Sequence, residues 1–237
     1  MSLRELIQYI ELYSINGIDD LFFSSKPTLK INPISTNRII DNITNTNLLQ
    51  DLYRKNKNCR NCIYHQYRKK MVLGQGSLNA EIMVIGGPPN AEENLTGTPF
   101  IGKYGELFTT MMSTINLNRE DLFITNITKC RVLNGKREDM SKCYSMLVQE
   151  INIINPKIIL LFGEIAANVI FNKDETIEFY RSKKGFKIEG IPVFITIHPS
   201  SLLDDHQKLL KRLVWEDLKM FREEFLILKS KQEINDV

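Results

Sequence analysis

Lys157-Ile158-Ile159-Leu160-Leu161-Phe162-Gly163, followed at once by Glu164-Ile165-Ala166-Ala167-Asn168-Val169-Ile170-Phe171, decides the fold. Five consecutive apolar residues closed by a glycine have the length of a strand buried on both faces and fall far short of a membrane span. The segment after the glycine reads as a helix. A fully buried strand feeding a helix is the repeating unit of a parallel sheet. Upstream, Met140 to Ile154 is predicted as a helix stopped by Asn155-Pro156. Before it come a strand, Leu122 to Asn126, and a helix, Gly105 to Ile115, with Leu107, Phe108, Met111 and Met112 on one face. Earlier still, Glu81 to Ile85 reads as a strand running into the turn Gly86-Gly87-Pro88-Pro89. Downstream, Ile191 to Ile197 is a strand entering His198-Pro199-Ser200, and Leu209 to Leu228 closes the domain as a helix. The expected architecture is α/β: a three-layer αβα sandwich around a short, mostly parallel four-stranded sheet. Ligands of such sheets sit beyond the carboxyl ends of the strands. Gly86 to Pro89, Asn126 and His198 all fall there.

The chain has 237 residues, 43% of them hydrophobic and 25% charged, with a formal net charge of +3. That profile suits one sizeable domain with an extension. The charge permits a polyanionic partner without demanding one. Residues 1–52 read as an N-terminal helix (Leu3, Ile7, Ile10 and Leu12 at helical spacing) and then a polar linker rich in Asn, Ser and Thr with Pro27 and Pro33. The main domain is expected over 53–228, and 229–237 as a polar tail. Met1-Ser2-Leu3-Arg4-Glu5 opens with mixed charge and no long apolar run, so neither a secretory signal nor a membrane segment is expected. The predicted compartment is reducing and cytoplasmic, where disulfides are rare.

All four cysteines fall in two pairs: Cys59 and Cys62 in a C-x-x-C, then Cys130 and Cys143. A set that uses every cysteine reads as one four-thiolate metal centre. Zinc takes four soft ligands in a tetrahedron, often from two close pairs, and the second pair here is widely spaced. A [4Fe–4S] cluster takes one thiolate per iron and tolerates uneven spacing. Free buried thiols acting as small hydrophobes are the third reading. Around the first pair, Arg54, Lys55, Lys57, Arg60, Arg68, Lys69 and Lys70 interleave with Tyr53, Tyr64, His65 and Tyr67. Such a mixture fits a phosphate backbone as well as it fits a solvated surface.

Several blocks occur in a telling order: Gly86-Gly87-Pro88-Pro89-Asn90, then Thr96-Gly97-Thr98-Pro99-Phe100-Ile101-Gly102, then Ile124-Thr125-Asn126-Ile127-Thr128-Lys129-Cys130-Arg131. His198-Pro199-Ser200 and Arg212-Leu213-Val214-Trp215-Glu216-Asp217-Leu218 follow. Over about residues 53 to 225 the chain resembles the uracil-DNA glycosylase superfamily, above all its iron–sulfur branch, family 4. The resemblance implies a [4Fe–4S] cluster on Cys59, Cys62, Cys130 and Cys143, with zinc as the alternative. It implies a uracil pocket formed by Gly86, Gly87, Pro88, Phe100, Asn126 and His198. Phe100 would stack on the extruded base. Asn126 would read its edge, and His198 would hydrogen-bond O2 of the departing ring. Ser200, Ser201 and Leu202, as a loop entering the groove, and Lys208, Lys211 and Arg212, as phosphate contacts, would meet the DNA. His65 and His206 read as ordinary surface or core histidines.

The implied activity is hydrolysis of the N-glycosidic bond of uracil in single- or double-stranded DNA, releasing uracil and leaving an abasic site, by a monomer. The first motif departs from the family pattern: Gly87 stands at the family glutamate, Asn90 at a glycine, Asn94 at a common aspartate and Thr98 at a basic residue. The lost carboxylate is associated with the attacking water, and Glu92 and Glu93 are its nearest substitutes in sequence. The alternative is therefore a weakened or inactive member that binds uracil or single-stranded DNA. A DNA-crosslinking relative carries a histidine-bearing basic insert after the cysteine block, which Val132 to Arg137 lacks.

Overall fold

The computed structural model describes residues 33–133, 135–203 and 208–235. The expected helix over 1–24 and His206 lie outside them. By its contacts the chain divides after Asn37. Of the first part only residues 33–37 are described, as the opening of helix α1 (Pro33–Asn56).

Four parallel strands form the centre of the sheet: β2 (Ile82–Gly86), β3 (Leu122–Asn126), β4 (Ile158–Phe162) and β6 (Ile191–Thr196). The order is β1-β3-β2-β4-β6-β5, with the two-residue strands β1 (Gln75–Gly76) and β5 (Lys187–Ile188) pairing antiparallel at the edges. The four-stranded expectation thus describes the core. The edge strands lack the apolar run that announces the others.

Alternation along the strands fills both faces. Met83, Ile85, Phe123, Ile159 and Leu161 pack into one apolar cluster, and Ile82, Val84, Leu122, Ile124, Ile158 and Leu160 into the other. Covering the first face are the end of α1, α5 (Tyr144–Ile154), α6 (Glu164–Phe171) and α7 (Ile177–Ser182). Covering the second are α3 (Gly102–Thr114) and α8 (Lys208–Asn235). These layers make the three-layer sandwich. The short helices α2 (Ala91–Thr96) and α4 (Arg137–Ser141) lie in the connections.

Three expectations are corrected. The linker is helical from Pro33 onward, so the proposed boundary at residue 53 falls inside α1. Asn and Thr are modest helix formers. Burial of Leu49 and Leu52 against the first sheet face supplies what propensity lacks. The single helix over 140–154 is two, because the chain turns at Lys142 and Cys143 between α4 and α5. The polar tail is helical to Asn235, and Lys229 reaches back to Glu81 at 3.0 Å. Asp217 is 2% exposed and ties α8 inward, accepting from Arg181 Nε and Nη2 at 2.7 and 2.8 Å and from Thr196 Oγ1 at 2.6 Å.

Candidate active site and thiol centre

Strands β2 and β3 end side by side, with Gly86 opposite Asn126. Beyond them lies a cavity of about 230 Å³ walled by Pro88, Asn90, Glu93, Phe100, Tyr104, Asn126, His198 and Ser200. Of the six residues expected around one pocket, Pro88, Phe100, Asn126 and His198 line this cavity, and Gly86 and Gly87 do not. The volume is below the roughly 300–1,000 Å³ of drug-sized sites, which suits a single small ring.

Phe100 is held in an unusual backbone state, with φ of +52°. Its ring packs 4.8 Å from Phe108 and 6.0 Å from both Phe162 and His198, centre to centre. A Cβ on Gly86 would stand 2.5 Å from that ring, and one on Gly105 would stand 2.0 Å from the Phe100 carbonyl oxygen. Glycine at both positions makes room for the aromatic platform.

Glu93 is the residue whose place at the site the sequence left undecided. It is 5% exposed, and it accepts from the backbone N–H of Asn90 through Oε2 (2.7 Å) and of Phe100 through Oε1 (2.5 Å). The Asn126 amide also donates to it. Burial raises its pKa, opposed by these donors and by the Arg119 charge. A signal was present in the sequence: Asn90-x-x-Glu93 is a capping box, with Asn90 Oδ1 accepting from the Glu93 N–H at 2.9 Å. Glu92 lies elsewhere, against Gly102.

The carboxylate orients Asn126. A group bound by N–H donors on both oxygens acts as an acceptor, so the Asn126 NH₂ must face it. Asn126 Oδ1 is then left buried with no partner among the described residues. Leaving such an atom unpaired costs about 1–3 kcal/mol, which a ligand N–H would recover.

His198 follows β6 and is half-buried. Its Nδ1 accepts from the Ser200 N–H at 3.2 Å and lies 2.8 Å from Ser200 Oγ. The ring proton is therefore on Nε2, the nitrogen left for a ligand. Burial lowers its pKa to about 4, so the ring is neutral at physiological pH.

A second cavity, of about 350 Å³, shares Pro88, His198 and Ser200 with the first and adds Gly87, Phe162, Gly163 and Glu164 to its wall. A Cβ on Gly87 would meet nothing within 4 Å. Ser200 and Ser201 are exposed on the short turn Pro199–Leu202. Leu202 is not a free wedge: it is 3% exposed in the second core, whereas Leu203 is 38% exposed. Lys208, Lys211 and Arg212 are exposed at the start of α8, at the i, i+3, i+4 spacing of one helix face.

The four cysteines lie just after α1, in the β3–α4 loop and just before α5. Cys130 feels Cys59 and Cys62 electrostatically, and Cys143 feels Cys130 and Cys62. Burial raises the Cys130 thiol and pushes Cys143 up to about 11. Two donors favour the thiolate form: Arg68 Nη1 lies 3.5 Å from Cys130 Sγ and the Lys129 N–H 3.4 Å from Cys143 Sγ. Among the described residues no three cysteine, histidine or carboxylate side chains are grouped closely enough to hold one metal ion. Arg68 is turned inward, onto Cys59 O as well. Tyr64 is core and Tyr53 points at Glu150, so the basic surface reduces to Arg54, Lys55, Lys57, Arg60, Lys69 and Lys70 beside exposed Tyr67. His65 caps Cys62 O through Nδ1 at 2.6 Å.

The description of the uracil DNA glycosylase superfamily matches residues 73–219. The chain belongs to that superfamily. A type-4 uracil-DNA glycosylase of Pyrobaculum aerophilum is 34% identical over 183 residues, 73% of this chain and 92% of that protein. One of Thermotoga maritima is 33% identical over 180 residues, covering 74% and 94%. One of Archaeoglobus fulgidus is 36% identical over 168 residues, covering 65% and 83%. Within the superfamily the chain belongs to the type-4 uracil-DNA glycosylases.

Proposed function

We propose that the chain hydrolyses the N-glycosidic bond of uracil in DNA, releasing uracil and leaving an abasic site. The observation that carries this reading is the buried, unpartnered Asn126 Oδ1 in a cavity walled by an aromatic ring and a neutral imidazole. A duplex hides its bases, so the nucleotide must be extruded to enter. Phe100 offers the face on which the ring stacks. Asn126 Oδ1 accepts the N3–H of uracil. Cytosine carries a lone pair at N3, and its entry would leave two acceptors facing each other. His198 Nε2–H donates to O2, where negative charge collects as the bond to the sugar breaks. Because the imidazole is already neutral, it acts as a fixed donor and not as a source of a full proton.

Gly87 supplies no carboxylate for the attacking water. A general base contributes about 10²–10⁴-fold, so excision here runs on leaving-group stabilisation and is slow. The space around Gly87 admits a side chain, and Gly87→Glu is expected to raise the rate. The deciding assay incubates the protein with a uracil-bearing oligonucleotide and looks for alkali-labile strands. Binding without strand lability would leave a uracil-binding protein and refute the enzyme.

A [4Fe–4S] cluster is the cofactor we assign to Cys59, Cys62, Cys130 and Cys143. With Zn–S bonds of about 2.3 Å, zinc would draw its sulfurs to less than about 4 Å apart. Zinc usually takes its thiolates from two close pairs, whereas Cys130 and Cys143 are widely spaced, and a cluster with one thiolate per iron tolerates that spacing. Held by these four cysteines, it would supply a structural link between the segment after α1 and the β3–α4 loop. Broad visible absorbance after anaerobic purification supports the cluster; colourless protein with stoichiometric zinc overturns it. Ser200, Ser201, Lys208, Lys211 and Arg212 are the DNA contacts in this reading, made by a monomer in a reducing, cytoplasmic compartment.

A further inference from the structure

Behind the cavity, on the far side of Asn126, lies an ion pair removed from water. The side chains of Lys129 and Glu150 are both 0% exposed, with Lys129 Nζ 2.7 Å from Glu150 Oε2. The ammonium has three N–H donors and uses all of them: the others go to Thr125 Oγ1 at 2.5 Å and to the Asn126 carbonyl oxygen at 2.9 Å. Thr125 Oγ1 donates onward to Glu150 Oε2 at 2.9 Å, which closes a ring. Glu150 Oε1 accepts from Tyr53 OH at 2.8 Å and from the Gly74 N–H at 3.3 Å. Every member of the network is satisfied.

A fully satisfied buried pair is a rigid anchor, though a hydrophobic pair of the same shape would often be as stable. What this pair grips is informative. Asn126 is the last residue of β3, and its carbonyl lies where the ladder with β2 runs out. Lys129 takes that carbonyl. The other end of the same peptide group, the Ile127 N–H, donates to Gly86 O at 2.9 Å. The peptide plane that follows Asn126 is therefore held at both ends, and this plane sets how the Asn126 side chain leaves the backbone. The Lys129 backbone is itself held by Val72 N–H at 2.9 Å and, through its own N–H, by Cys143 Sγ.

We propose that Lys129, anchored by Glu150, is a positioning residue for base recognition: it holds the backbone of Asn126 so that Oδ1 meets the N3–H of uracil. The proposal rests on the reading of the cavity as a uracil site.

The test measures binding, so it does not depend on turnover. Two oligonucleotides are compared by fluorescence anisotropy, one carrying a single 2′-fluoro-2′-deoxyuridine, which resists cleavage, the other 2′-fluoro-2′-deoxycytidine at the same place. Lys129→Met and Glu150→Gln are made together, so that neither charge is buried alone. The preference for the uridine strand is expected to fall roughly 5–100-fold, the discrimination of one well-formed base contact. In an Asn126→Ala background the same pair of changes is expected to alter the preference less than about twofold, because residues acting through one another are not additive. Equal losses in both backgrounds, or an undiminished preference in the first, overturn the proposal. Should the paired variant fail to fold, Thr125→Val removes one hydroxyl and strips no charge. It is expected to cost about 2–10-fold in preference, again only when Asn126 is present; no loss there overturns the proposal equally. A native chain with no preference for the uridine strand refutes the uracil reading itself, and the proposal with it.

Discussion

Two glutamates are buried on opposite sides of Asn126 and are stabilised in opposite ways. Glu150, 0% exposed, meets a full cation and neutral donors around it. Glu93, 5% exposed, meets backbone N–H groups and one side-chain amide, with Arg119 close enough to be felt but forming no ion pair among the described residues. The first arrangement anchors elements that are distant in sequence: Tyr53 and Glu150 are 97 residues apart. The second is a template, because N–H dipoles fix the direction of each carboxylate oxygen and the carboxylate in turn orients Phe100 and Asn126. One region holds the strand end still; the other aims it.

The largest expected effect lies on the anchoring side. Glu150→Ala leaves the Lys129 ammonium buried without its counter-charge and is expected to cost about 3–5 kcal/mol in urea unfolding. A cost within ordinary surface scatter would mean that the pair is not buried as described.

On the cavity side the effect moves from stability to turnover. His198→Ala is expected to lower the excision rate about 10²–10³-fold, as loss of one donor to developing charge does, while DNA affinity changes far less. Equal losses in both would remove the assigned role. The pH dependence is a companion to this. With the His198 pKa lowered to about 4, excision should hold from neutral pH down toward 4 and fall only there. The sign for stability follows: the unfolded chain takes its proton near 6.5 and the folded one near 4, so acidification between these values favours unfolding. A rate profile that breaks near 6.5 would show the imidazole to be solvated.

Glu93→Gln keeps the shape and loses the charge. An amide offers one acceptor oxygen where the carboxylate offered two, so one of its N–H partners is orphaned at about 1–3 kcal/mol. Its cost in stability is expected to be smaller than that of Glu150→Ala, and uracil preference should fall because Asn126 is then free to flip its amide. A stability loss with preference intact would mean that Glu93 does not aim the Asn126 amide and would erase the contrast between the two regions.

The smallest effect belongs to the helix face that bears on neither carboxylate. Lys208→Ala with Arg212→Ala should weaken binding to all DNA sequences alike and reduce the salt slope by about one per contact removed. Cavity variants should leave that slope alone.

Much of the fold was legible in the chain because a strand buried on both faces has to be apolar without a break. Leu122–Asn126 and Glu164–Phe171 match the structure residue for residue. The edge strands, at two residues each, and α7, at six, are too short to carry a period. Helix α1 was missed because it is made by the burial of Leu49 and Leu52 and not by its own composition. The turn at Cys143 falls inside an apolar helical pattern that gives no sign of it.

At the site, motif order picked out Phe100, Asn126 and His198, which line one cavity, since each is a residue type whose chemistry is visible in its side chain. Leu202, expected in the loop that enters the groove, is buried in the second core instead, because the motif does not say which of two adjacent leucines faces inward. Sequence by itself determined the repeating strand and helix, the residues brought to the strand ends and the loss of a carboxylate at position 87. Only the tertiary structure decided that Glu93 orients the Asn126 amide, that the His198 proton is on Nε2 and that Lys129 holds the strand end. These depend on which polar groups meet once water is excluded, and such meetings are set by distances in space between residues far apart along the chain.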